Sequence, residues 1–261
     1  MKEVQLESFK EWFKEYTSQF YTGDDDYDYN IRFKVEHTKR VCNESLMICN
    51  SLSASKQTQI LAETIALFHD VGRFQQFAKY KTFMDKDSVN HAHQGVRDLN
   101  RHKVLSGCTK QERYLISNAV AFHNSLKMPE KDDETLLYIK MIRDADKLDI
   151  WNVCKELFSN KKNINKSIIL HLPDKPEYSP QVVQSILNGN GALYSQIKTL
   201  NDYKIIQMGW VFDLNFPASF LALKKRGIIS GIIKTLPQTK DIQILADKIH
   251  NYIEDKVITE K

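Results

Sequence analysis

The sequence is poor in residues that break helices. Its 261 residues include only nine glycines and six prolines, about half their usual combined share. Sheet proteins with many tight turns need more of both. The shortage excludes a turn-rich all-β architecture and points to a mainly α fold. The four cysteines stand at 42, 49, 108 and 154. No two form the close pair that a cysteine-built zinc site needs, so they read as small buried hydrophobes in a reducing compartment. No apolar run reaches the length of a membrane span. Residues 1–16 carry charges every few positions and lack the apolar centre of a signal peptide. A cytoplasmic protein without a membrane partner is the expectation. A dominant charge sign is missing as well. Basic residues number 37 and acidic ones 33, leaving a net +4, which gives no strong nucleic-acid signal. The basic stretch Lys161-Lys162 with Lys166 has no interleaved aromatics and reads as a solvated loop. Internal repeats and low-complexity tracts are absent.

What is present fits a globular protein. Apolar residues make up 42% and charged residues 27%, near the soluble norm, which excludes disorder for the bulk of the chain. A chain of this length buries enough surface to fold without a disulfide or metal staple. One compact helical domain is expected, with a core over about 30–150 and a helical extension over about 151–261.

The apolar spacing predicts a first amphipathic helix over 6–22, through Leu6, Phe9, Phe13, Tyr16 and Phe20. The acidic run Gly23-Asp24-Asp25-Asp26 is expected to break it as a loop. Helices follow over about 29–52 and 56–69, the latter capped by Ser55. Val71-Gly72 interrupts the pattern, and 80–88 reads as loop. Asp87 or Ser88 is expected to cap a helix reaching about Leu105. Thr109 with Glu112 forms a capping box for a helix to about Ser125. A helical stretch covers 133–158, and 160–180 reads as a long loop. Ser179-Pro180 starts a helix that stops at Asn188-Gly189. The segment 188–191 is read as a turn rather than a phosphate loop. Residues 210–216 alternate and form the one strand-like run. Helices resume from about Ala218.

Several polar residues fall on apolar stripes. Ile116, Ala119, Val120 and His123 share one helix face. His69 follows Ile65 by four, with Asp70 beside it. His37 precedes Val41 by four, and His91 precedes Gly95 by four and Leu99 by eight. Asp146 aligns with Ile139, Ile142 and Ile150. Asp144, between Lys140 and Lys147, is expected on a more solvated face, so Asp146 is the preferred inward carboxylate. An ionised carboxylate on an inward face needs a positive partner, and several imidazoles beside carboxylates point to a cation. His102, His171 and His250 read as surface residues.

With these residues assembled, the sequence resembles the HD-domain superfamily of metal-dependent phosphohydrolases. Ala66-Leu67-Phe68-His69-Asp70-Val71-Gly72-Arg73-Phe74 is similar to its signature. His37, His91 followed four residues later by Gly95, His123, and Asp146 within Arg143-Asp144-Ala145-Asp146-Lys147-Leu148-Asp149 continue the pattern in order. The resemblance implies an HD-domain helical bundle with metal ligands His37, His69, Asp70 and Asp146. It also implies that His91 and His123 make room for a second metal, with Asp70 bridging. Imidazole and carboxylate ligands suit one or two divalent transition metal ions such as Mn, Fe, Ni, Co or Zn. The implied activity is cleavage of a phosphomonoester or phosphodiester of a small phosphorylated substrate, a nucleotide among the candidates, by metal-activated water. Asp70 is the catalytic carboxylate in this reading. Arg73 and Lys147 stabilise charge and bind substrate, and His93 lines the substrate side. Two alternatives stand beside it: an HD-fold di-iron oxygenase, whose ligands can be identical, and a non-catalytic helical protein binding metal or nucleotide.

Overall fold

The computed structural model describes residues 1–159, 169–170, 172–189 and 196–258. Lys161, Lys162, Lys166, His171, Asn190 and Gly191 lie outside the described residues. Among the described residues every regular element is helical. The chain divides into two units, residues 1–149 and 150–261.

The first unit opens with α1 (Glu3–Ser18), α2 (Asp25–Ser51) and α3 (Lys56–Phe68). The acidic run expected as a loop is instead the start of α2. Gly23 takes a left-handed φ of 87°, and Asp24 caps the helix by accepting from the Tyr27 amide at 2.8 Å. Asp25, Asp26 and Asp28 fill the first turn, where carboxylates complement the helix dipole. Ser55 caps α3 as the sequence predicts. α3 packs against α1, α2 and α6 (Lys110–Phe122), which makes it the centre of the unit. Its residues from Ile60 onward are buried almost without exception, Phe68 and Ala66 completely. The capping box of Thr109 and Glu112 begins α6.

The interruption expected at Val71-Gly72 is present: α3 ends at Phe68, and α4 (Gly72–Tyr80) begins after a short break. One expectation fails between α3 and α6. The following α5 (His91–Arg101) is capped by Asn90, which accepts from the His93 amide at 3.0 Å, rather than by Asp87 or Ser88. A 3₁₀ turn, Asp85–Asp87, occupies the polar connection. Gly72 is required by close approach. A Cβ there would stand 2.2 Å from the His91 carbonyl oxygen and 2.5 Å from the Gly95 amide nitrogen. Backbone atoms cannot yield as a side-chain tip can, so α4 and α5 must part to admit a methyl group. Gly72→Ala is therefore expected to cost at least about 1–3 kcal/mol, and thermal melting reads it. An unchanged melting temperature would contradict the contact.

α7 (Asp133–Ser159) runs through the end of the first unit into the second. Up to Asp149 it buries Tyr138, Ile139, Met141, Ile142, Ala145 and Leu148. The second unit continues with α8 (Pro180–Leu187), α9 (Leu200–Gly209), α10 (Pro217–Lys225), α11 (Ile228–Ile233) and α12 (Lys240–Ile258). α12 packs on α8 and α10. Ser179 does not cap α8 through its side chain. Its amide and hydroxyl donate to the buried carboxylate of Asp202, at 2.6 and 3.0 Å. The strand-like run at 210–216 is a 3₁₀ turn, Trp210–Asp213, followed by extended residues. Phe216 is extended because Pro217 disfavours the helical region for the residue before it. The aromatics of this run are packed within the unit: Trp210 lies 6.0 Å from Trp151, and Phe212 4.9 Å from Tyr252, between ring centroids.

Candidate metal centre

Four histidines and two aspartates from five helices meet inside the first unit. His37 comes from the middle of α2, and His69 ends α3 with Asp70 next to it. His91 is the first residue of α5, and His123 ends α6. Asp146 comes from α7. The four imidazoles and Asp70 are all buried. The Asp146 side chain keeps 20% of its exposure.

Each imidazole is held from behind. Nδ1 of His37 faces Asp149 Oδ2 at 2.6 Å, and Nδ1 of His91 faces both oxygens of Asp85 at 2.8 Å. Nδ1 of His69 faces the Ala66 carbonyl at 2.7 Å, and Nδ1 of His123 the Val120 carbonyl at 2.7 Å. The last two use a local device. A histidine at a helix C-terminus finds an orphan carbonyl three residues back. With an acceptor behind every Nδ1, the network assigns the proton there and leaves every Nε2 as a lone pair.

Those four Nε2 atoms point at one another and at Asp70. His37 and His69 are 3.3 Å apart at Nε2, and His91 and His123 are 3.1 Å apart. Asp70 stands between the pairs. Its Oδ2 lies 3.5 Å from His37 and 3.7 Å from His69, while its Oδ1 lies 3.3 Å from His91 and 3.7 Å from His123. Asp146 Oδ1 adds to the first pair, 3.1 Å from His37 and 3.7 Å from His69. Two groups thus have metal-binding spacing, His37 with His69 and Asp70, and Asp70 with His91 and His123. Lone pairs facing lone pairs in a buried site repel unless a cation lies among them. The donor set of imidazole nitrogens and carboxylate oxygens fits a divalent transition metal better than the all-oxygen preference of calcium.

The electrostatics agree. Burial alone would raise the Asp70 pKa, but Lys34, His69 and Arg73 outweigh it and hold the carboxyl well below its usual range. Lys34, one turn before His37, donates to Asp70 Oδ2 at 2.7 Å. Asp146 is likewise held low against its burial, by His37 and His69. Burial and the Arg73 charge push His91 down to about 3, so this ring is neutral at any ordinary pH. Burial and Lys34 also push His37 down, but bonds to Asp146 and Asp149 outweigh them and its pKa rises.

Other residues singled out by the sequence sit differently. Arg73 turns NH1 to Gln76 Oε1 at 2.9 Å and Asp85 Oδ1 at 3.0 Å, and its Nε lies 3.4 Å from Asp70 Oδ1. Lys147 reaches back to the Arg143 carbonyl at 3.4 Å. His93 is exposed on the first turn of α5. Asp144 is not on a solvated face; it is fully buried. The second layer was missed by sequence reasoning: Lys34, Arg40, Asp85, Asn124 and Asp149. Arg40 Nε donates to Asp149 Oδ1 at 2.6 Å. Lys34 and Arg40 lie three residues either side of His37, and Asp149 three past Asp146, so helical spacing alone could have found them.

No helix among the described residues is long and apolar enough to cross a membrane. No curated protein and no solved structure matches the chain. Residues 35–151 match the family model of the HD domain, a stretch that holds all six converging side chains. Residues 35–151 are an HD domain, of the all-helical superfamily of metal-dependent phosphohydrolases.

Proposed function

We propose that the chain is a metal-dependent phosphohydrolase acting on a phosphomonoester or phosphodiester of a small molecule. The observation that carries this reading is the shared carboxylate of Asp70, with one oxygen toward each histidine pair. His37, His69, Asp146 and Asp70 Oδ2 would hold one divalent ion, and His91, His123 and Asp70 Oδ1 a second. A divalent ion bound there lowers the pKa of a coordinated water and offsets charge on a phosphoryl group.

The residues of the chain supply the rest. Asp70 fixes the spacing of the two positions because both its oxygens are committed. The acceptors behind each Nδ1 keep the imidazoles aimed inward, so no reorganisation is needed on binding. Burial of the four rings excludes bulk water from the ligand side, and the partly exposed edge of Asp146 leaves an approach. Lys34 places a positive charge at 13% side-chain exposure against this cluster, suited to an anionic substrate. Lys147 and His93 are proposed as substrate contacts farther out, with effects on KM rather than on metal content.

Elemental mass spectrometry tests the reading, on protein purified without chelator or affinity nickel, followed by hydrolysis assays on model phosphomonoesters and phosphodiesters. About two ions per chain, with turnover supported by redox-inert Zn, is the expected result. Two irons with oxygen consumption and no hydrolysis would replace the reading with an oxygenase. No metal uptake after reconstitution would remove it.

A further inference from the structure

Asp85 lies outside the six converging residues, yet its carboxylate collects donors from three segments. His91 Nδ1 donates to both of its oxygens at 2.8 Å. Arg73 NH1 and Gln76 Nε2, both from α4, reach Oδ1 at 3.0 and 2.9 Å. Asn124 Nδ2, just past α6, reaches Oδ2 at 3.1 Å. Such a concentration of donors on one carboxylate fixes its position. It also fixes the ring of His91, whose Nε2 is aimed at Asp70 and His123.

The other half of the cluster repeats the plan. His37 Nδ1 faces Asp149, and Arg40 clamps Asp149 with Nε at 2.6 Å and NH2 at 3.1 Å. Each histidine pair therefore has one ring held by a backbone carbonyl, His69 or His123, and one held by a carboxylate–arginine pair. The two carboxylates differ in their support. Asp149 lies inside the long helix α7 and is buried. Asp85 lies in a three-residue 3₁₀ turn, and its side chain is 30% exposed. Arg73 ties the turn to the centre, since its Nε stands 3.4 Å from Asp70 Oδ1 while NH1 holds Asp85.

We propose that Asp85, clamped by Arg73, is the positioning residue of the second ion position and acts through His91. Whether the protein carries one ion or two is then set by the turn between α4 and α5, not by the long helices. This inference rests on the ligand assignment in the proposed function and adds to it a residue outside the ligand set.

The test titrates the full chain with Co²⁺, reading the visible absorption of bound cobalt, with stoichiometry by elemental mass spectrometry. Asp85→Asn keeps the size of the side chain and an acceptor for Arg73 or Gln76, so the turn has reason to persist. The expected result is an unchanged first-ion affinity and a second-ion affinity lower by roughly 10–100-fold. The reciprocal variant, Asp149→Asn, weakens the first ion instead. A double-mutant cycle separates positioning from a merely structural role. Asp85→Asn added to His91→Ala should produce no further loss of cobalt affinity, because the residue it acts through is gone. The proposal is overturned if Asp85→Asn binds both ions as the wild type does, if both ions weaken equally, or if the double variant loses further affinity. A wild-type chain that binds no cobalt would overturn the phosphohydrolase reading itself. Two ions in the wild type, and two of unchanged affinity in Asp85→Asn, would overturn this inference alone.

Discussion

Asp70→Ala is expected to lose both ions and all metal-dependent turnover while the helices survive. The reason is geometric. Asp70 alone faces both histidine pairs, with 3.3 Å to His91 on one oxygen and 3.5 Å to His37 on the other. Removing it takes a charged donor from each position at once. The loss at each should exceed the roughly 10–100-fold that loss of an outer-layer partner costs. The fold has less at stake. Asp70 sits in the short break between α3 and α4, and the truncation deletes a buried charge rather than packed apolar volume. Lys34 loses its partner, but it keeps 13% exposure and a flexible stem with which to reach water. Circular dichroism should therefore show unchanged helix content, and elemental analysis no bound metal. A variant that keeps full metal content and turnover would sink the site assignment, and one that unfolds would show that Asp70 is structural first.

The histidines were legible in the sequence because each interrupts an apolar stripe. A helix face reading Ile116, Ala119, Val120, His123 predicts that the polar member points where the apolar ones do, and in the structure it does. Caps were legible where the side chain bonds locally, as at Ser55 and Thr109. Some of what escaped is local too, such as the Asn90 cap on the His93 amide, but much of it depends on partners distant in sequence. The break at Val71-Gly72 was legible, but not the need for glycine at 72, where the α5 backbone passes too close for any side chain and nothing local signals it. Asp85 reads as one more polar loop residue, and its value comes from donors on α4, α5 and the end of α6. Asp144 shows the limit of reading charge as exposure. Its lysine neighbours suggested solvent, but it is fully buried while Asp146 stays partly exposed. Asp146 meets His37 through its position on α7, not through greater burial. The alternation at 210–216 misled for a simpler reason. Seven residues are too few to separate a period of two from a 3₁₀ turn followed by a proline-extended residue.

His123→Ala is expected to reduce the metal count from two to one and to leave that one bound nearly as before. The second position has three donors, Asp70 Oδ1, His91 and His123, and the variant removes one of them. The first position keeps His37, His69 and Asp70 Oδ2, with Asp146 at 3.1 Å from His37 as a fourth. Four donors against two should separate the affinities by more than one removed outer-layer contact would, that is by more than roughly 10–100-fold. Some disturbance will pass to the first position, because the His123 and His69 rings pack edge to face at 5.2 Å between centroids. That contact is ring against ring, and its loss leaves the Ala66 carbonyl still holding His69 Nδ1 at 2.7 Å. The ring of His69 therefore stays aimed. The end of α6 also stays closed, since Arg143 donates to the His123 carbonyl at 3.2 Å and to that of Ser125, bonds the substitution does not touch. Turnover distinguishes the two roles an ion pair can have. If both ions are needed for phosphoryl transfer, the one-metal variant should bind an inorganic phosphate probe weakly and turn over little. His37→Ala makes the reciprocal prediction, loss of the first ion with the second retained. Equal loss of both ions in His123→Ala would show that the six residues bind metal as one indivisible cluster, and the division into two positions sharing Asp70 would fall.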